Sequence, residues 1–252
     1  MTAKLAAGAR PARGAGTAVK AYEQVADILR RRVVAGELEP GARLPTETML
    51  ATEFGVSRAT VREALRLLGA QSLVRTAKGA TGGSYVTVPS LRNLSASLRS
   101  GIGLLADAQD VSLEELLEAR QLLEVPAARL AAVRHRAEDV ERLRAAIPGR
   151  PLELGARERF AYNADFHSIV LEASGNVLLL LAAQPVFEVL QNRLVRSTLG
   201  VRSQRTINAH HRSIAAAIEA GNEDAAGGEM HDHVEFLRPF YEKAWRELSK
   251  RR

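Results

Sequence analysis

The stretch GVSRATVREALRLLG, residues 55–69, decides how the first third of the chain is read. Ser57 is placed to cap a helix N-terminus and Gly69 to end it, so the residues between form one short helix. Val61, Ala64, Leu65 and Leu68 fall at the i, i+3, i+4, i+7 spacing of a buried stripe. Arg58, Arg62 and Arg66 run along a different face. Such a helix packs its back against a core and turns cationic donors outward.

The neighbouring segments give this helix a setting. Upstream, Thr46 caps a second short helix, ETMLATEF, closed by Gly55. Before it Pro40-Gly41 marks a turn, and residues 21–35 form an amphipathic helix through Tyr22, Val25, Ile28 or Leu29, and Val33. Short helix, tight turn and arginine-faced helix together make a helix-turn-helix. Ser57, Arg58, Ala59 and Thr60 then sit at the start of the helix that enters the major groove. Arginine bonds guanine O6 and N7 in bidentate fashion, and small residues such as Ala59 and Thr60 allow close approach to base edges. Downstream, SLVRTAKGATGGSYVTV (72–88) reads as a two-stranded ribbon whose tip, Lys78 to Gly83, reaches toward a phosphate backbone or minor groove. The competing reading is a small helical bundle with a solvated arginine face. The four elements in this order favour DNA.

Charge supports that reading. Residues 1–90 hold 13 Lys and Arg against 7 Asp and Glu, whereas residues 91–252 hold 22 of each, so the whole excess of +6 lies in the first third. This is the asymmetry of a polyanion-facing module joined to a balanced one. Residues 1–19, rich in Gly, Ala and Arg, read as a basic flexible tail without the apolar run of a signal peptide. The greasiest stretch, NVLLLLAAQPVFEVL, is interrupted by Gln184 and Pro185 and too short for a membrane span. With no cysteine, disulfides and thiolate metal sites are excluded. A cytoplasmic, nucleoid-associated protein without a membrane partner is expected.

Residues 22–88 resemble the winged-helix domain of the GntR family of bacterial transcription regulators, through the run G-x-L-x-P-G-x-x-LP and the motif GVSR-x-T-VREAL-x-x-L. The resemblance implies DNA contacts at Ser57, Arg58, Ala59, Thr60 and Arg62, with wing contacts near Gly79; Arg66 and Lys78 extend the same cationic surface. It also implies that Glu63 and Leu65 are structural. Many members carry arginine after LP-x-E, where this chain has Thr48.

Between residues 89 and 111 periodicity lapses, and a linker is expected, with at most a short helix around LSASLRS. Helical spacing then returns in segments near 112–135, 138–147, 152–174, 177–199, 203–220 and 222–248, with a kink or break expected at Pro126 and Pro185. The expected architecture is therefore mainly α: a helix-turn-helix domain at 20–88 and an antiparallel helical bundle at 112–248.

In FAYNADFHSIV, residues 160–170, the apolar face holds Asn163 and His167 between Phe160 and Val170. Ile207, His211, Ile214 and Ile218 share a stripe, as do Ala226, Met230, His233, Leu237 and Phe240, so His211 and His233 point inward while His210 and His231 are rotated away. One inward histidine is ordinarily a satisfied core residue. Three such imidazoles with an amide one turn away can instead converge on a divalent cation. Leu116, Arg120, Leu123, Ala127 and Leu130 form a further stripe. Arg120 on it either pairs internally, for instance with Glu124, or clamps a carboxylate.

EARQLLEVPAARLAA, FHSIVLEASGN, HHRSIAAAIEAGNEDAA and MHDHVEFL resemble the effector-binding FCD domain of the FadR branch of that family. The resemblance implies a metal held by Asn163, His167, His211 and His233, and a small organic acid as effector. Zinc suits three imidazoles, with nickel, manganese or iron also compatible. A homodimeric regulator on a palindromic operator follows, most simply a repressor released by its ligand. Two readings compete. In one the histidines grip the effector without metal. In the other they serve a metal-dependent hydrolase, for which no glutamate shares their stripes and no HExxH is present; Asp165 and Glu172 are the nearest acids and face elsewhere.

Overall fold

The computed structural model describes residues 20–79, 82–88, 90–150, 153–194 and 201–250. The expected tail at 1–19 lies outside them. The chain divides into two compact units at Ser90/Leu91.

The first unit contains α1 (Ala21–Val34), α2 (Glu47–Phe54), α3 (Arg58–Ala70), β1 (Val74–Ala77) and β2 (Gly83–Val86). Its core gathers Val25 and Leu29 of α1, Leu50 and Phe54 of α2, and Val61, Ala64, Leu65 and Leu68 of α3. The stripe read from the sequence is thus the packed back of α3. Gly55 takes the left-handed conformation that closes α2, with φ 66°, at no steric cost. β1 and β2 pair antiparallel with Val74 opposite Val86 and Thr76 opposite Ser84. Arg43 adds an isolated bridge to Tyr85, a contribution from before α2 that local periodicity does not reveal.

The second unit holds α4 (Leu91–Ala108), α5 (Leu113–Arg134), α6 (Ala137–Ala145), α7 (Ala156–Ala173), α8 (Val177–Leu194), α9 (Val201–Glu219) and α10 (Glu223–Ser249). Residues 91–108, expected as linker, are instead an 18-residue helix. Its order comes from tertiary contact: Ile102 and Ala106 join an apolar cluster with Val186, Val189 and Leu190 of α8, and Arg99 pairs with Glu188. Of the kink or break expected at Pro126 and Pro185, no break occurs: α5 and α8 run through them, as α10 does through Pro239. Buried neighbours, Ala127 and Ala128 after Pro126 and Val186 and Phe187 after Pro185, offset the lost backbone bond. α5 is central and packs against α7, α8, α9 and α10. Among the described residues, no helix is long and apolar enough to cross a membrane.

Candidate functional site

On α3, Ser57 Oγ accepts from the Thr60 N–H at 3.1 Å, forming the N-cap that fixes where the helix starts. Ser57, Arg58, Ala59, Arg62 and Arg66 are exposed and Thr60 is half-exposed, so these residues share the outer face. Lys78 and Gly79 are exposed at the ribbon tip, where Gly79 has φ 98°. The three arginines are not equivalent. Glu47 of α2 holds Arg62 by two bonds, at 3.1 and 2.7 Å, and Glu63 holds Arg66 at 3.1 Å. Arg58 has no ion pair among the described residues. It is the guanidinium free to meet a base or phosphate. Thr48, in the place of the arginine many family members carry, is exposed on α2.

In the bundle, α7, α9 and α10 bring His167, His211 and His233 together, all buried, with one ligand nitrogen from each lying within 4.8 Å of the others. Phe166 stacks face-on against His211 at 4.0 Å and Phe187 of α8 lies 4.5 Å from the His167 ring, which holds the rings in place. His211 and His233 are pushed well below the ordinary histidine pKa by burial first, and then by the neighbouring imidazoles and Arg120, beside which a further proton is unfavourable. Burial also lowers His167, against the opposing pull of Glu124. All three imidazoles are therefore neutral near pH 7, as metal ligation requires.

The cluster has donors to spare. His211 Nε2, His233 Nδ1 and the Asn163 side-chain oxygen are buried without a hydrogen-bond partner. Unpartnered buried polar atoms cost about 1–3 kcal/mol each, and a cation contacting them would remove that cost. The donor set fits a divalent ion, which would be held by His167, His211 and His233. Bound there, it would supply a Lewis-acidic position for a ligand oxygen.

Arg120 and Glu124 complete the site. Arg120 Nε donates to Glu124 Oε1 at 2.6 Å, Nη1 to the Tyr241 hydroxyl at 2.9 Å and Nη2 to His167 Nε2 at 3.2 Å. The internal pairing weighed in the sequence is present, so Arg120 has few hydrogens left for a ligand. His233 Nε2 also lies 3.2 Å from His167 Nε2. Glu124 Oε2 approaches His167 Nδ1 to 2.6 Å, although out of line for a good hydrogen bond. Burial alone would raise the Glu124 carboxyl, but Arg120 and His167 together outweigh it and hold its pKa at about 2.

No glutamate shares the histidines' own stripes, yet Glu124 of α5 reaches the site from outside them. Helical phase compares residues within one helix, and Glu124 reaches His167 from another. His210, expected to face away, is half-buried against Phe236 at 5.2 Å and near His233 at 5.7 Å. Asp165 is exposed, and Glu172 pairs with Arg142 on the surface.

Comparison with known proteins agrees with both units. Residues 21–86 match the family described as bacterial regulatory proteins, gntR family, and residues 115–236 match the FCD domain. Over 210 residues the chain is 34% identical to the HTH-type transcriptional regulator LutR of Bacillus subtilis, covering 79% of this chain and 91% of LutR. The chain belongs to the GntR family. It is a DNA-binding transcriptional regulator with an FCD domain, and not an enzyme. This GntR protein is also 30% identical over 226 residues to the Uxu operon regulator of Haemophilus influenzae, covering 87% of this chain and 81% of that one. Among solved structures, the Streptococcus agalactiae GntR protein superposes with TM-score 0.61 at 26% identity, covering 86% of this chain and 99% of that one.

Proposed function

We propose that this GntR regulator is a repressor whose operator affinity is set by a small organic acid bound at a divalent metal, most simply zinc, in the FCD domain. The observation that carries the metal is the buried convergence of His167, His211 and His233 with ligand atoms left unpartnered. Asn163 is assigned as a weaker fourth ligand and Arg120 as the cation that draws a carboxylate toward the site. On the DNA side, Ser57, Arg58, Ala59 and Thr60 meet the major groove, Arg62 and Arg66 line it, and Lys78 and Gly79 meet the backbone beside it.

A homodimer on a palindromic operator suits two recognition helices. Leu91, Leu94, Leu98 and Leu105 of α4 are all exposed at helical spacing, an apolar stripe fit to meet a second copy. The protein would act in the cytoplasm at the nucleoid. We take the DNA-binding domain as residues 20–88 and the effector-binding and dimerisation domain as 112–248, with α4 leading into the latter within the second compact unit.

Metal analysis of protein purified without an affinity tag, alongside His167→Ala and His211→Ala, tests the site. About one metal per chain, lost in both variants, is expected. Wild type that stays metal-free after incubation with zinc, nickel and manganese would sink the metal assignment, leaving a direct grip of the effector by the histidines.

A further inference from the structure

On the outer face of α9 a hollow of about 440 Å³ lies between Arg205, Asn208 and Arg212 of the helix and Pro148, Gly149 and Arg150, which follow α6. The three α9 residues recur at three- and four-residue spacing and share one stripe. Asn208 is its fixed floor. It is buried, its Oδ1 accepts from Gln204 Nε2 at 3.1 Å, and its Nδ2 donates to the Pro148 carbonyl at 3.0 Å. That last bond pins the segment after α6 against the helix and gives the hollow a defined wall.

Charge sets this hollow apart from the rest of the second unit. Arg99, Arg129, Arg142, Arg144 and Arg238 each face a carboxylate. Arg205 and Arg212 have no ion pair among the described residues. Arg150 has Glu153 at 3.3 Å, an exposed contact that is worth little. Three guanidiniums and one carboxylate therefore leave an excess of two positive charges around one concavity. Like charges sharing a hollow repel unless an anion lies between them. A monocarboxylate brings one charge and two oxygens, whereas a phosphate carries close to two charges and offers three oxygens to guanidinium forks. Arg205 and Arg212 start about 10 Å apart along the helix axis, a span that two linked phosphates bridge better than one.

We propose that this hollow binds a small molecule bearing a diphosphate, with Arg205 and Arg212 as its anchors and Arg150 meeting it from the opposite wall. The site is separate from the histidine cluster. His211 and Ile214 are buried on the inner face of α9, whereas Arg205 and Arg212 are exposed on the outer one. Binding here needs no metal. Occupancy would tie the segment after α6 to the helix that carries His211.

Calorimetric titration of pyrophosphate into the full-length protein, stripped of metal over a chelating resin and held in about 0.15 M sodium chloride, tests this. Saturable binding tighter than that of inorganic phosphate or sulfate is expected. Arg205→Gln and Arg212→Gln should each weaken it about tenfold, the effect of losing one charge-assisted bond. Glu153→Gln, which frees Arg150, should tighten it a few-fold. Both arginines are exposed, so Tm should stay unchanged in their variants. Pyrophosphate binding that survives both arginine substitutions would overturn the site. Phosphate and sulfate binding as tightly as pyrophosphate would overturn the diphosphate assignment. No affinity in Glu153→Gln beyond that of wild type would overturn the part given to Arg150. Wild type that binds no pyrophosphate would overturn the proposal, and a loss of operator affinity in the arginine variants would then assign the hollow to the DNA backbone.

Discussion

Glu124 Oε1 accepts from Arg120 Nε at 2.6 Å, one helical turn away on α5, and its other oxygen lies 2.6 Å from His167 Nδ1 on α7. A single carboxylate thus ties the cation of one helix to a candidate metal ligand of another. Removing one partner of a fully buried pair strands the other charge, so Glu124→Ala is expected to lose about 3–5 kcal/mol of unfolding free energy in urea. Replacing both residues with Met should recover much of that loss. A single-variant loss under about 1 kcal/mol would mean that the pair is solvated.

The Ser57 cap separates stability from recognition. Ser57→Ala is expected to cost about 1 kcal/mol and Ser57→Gly only a few tenths, because glycine tolerates the cap geometry. If the hydroxyl also meets DNA, both variants should lose operator affinity alike in fluorescence anisotropy despite their different stabilities. Affinity that tracks stability would assign Ser57 to the fold alone.

Arg58 and Arg62 should behave differently although both lie on the same helix. Arg58→Ala, which removes a free guanidinium, is expected to weaken operator binding by about 1–3 kcal/mol and to relax base preference. Glu47→Ala releases Arg62 from its two bonds, and should steepen the salt dependence by about one unit through an added phosphate contact. An unchanged salt slope in Glu47→Ala would show that Arg62 never reaches the backbone.

Metal removal should be visible as stability. At a free metal concentration 100-fold above Kd, the holo form gains about 2.7 kcal/mol over the stripped form, so chelation should lower Tm in calorimetry. His211→Ala should melt at one temperature with or without chelator. A chelator shift that persists in that variant would place the ion elsewhere.

The α4 leucine stripe predicts the assembly. Leu98→Asp, at a residue 44% exposed, should cost the folded protomer little and convert a dimer to monomer in sedimentation velocity. A dimer that survives Leu98→Asp and Leu105→Asp together would put the interface on another surface.

The sequence by itself determined the helices other than α4, the arginine-bearing face of α3 and the inward direction of His167, His211 and His233. These properties depend on periodicity and capping, which act over a few residues and can be read along the chain. Tertiary structure alone decided what met across helices. That Glu124 faces His167, that Tyr241 takes a hydrogen from Arg120, and that Glu47 immobilises Arg62 each depend on the placement of residues 43, 121 and 15 positions apart. The same holds for α4: no strong local signal marks residues 91–108 as helix, but packing against α8 withdraws Ile102 and Ala106 from water and orders them. Local rules say which way a side chain points; only the packed chain supplies what it points at.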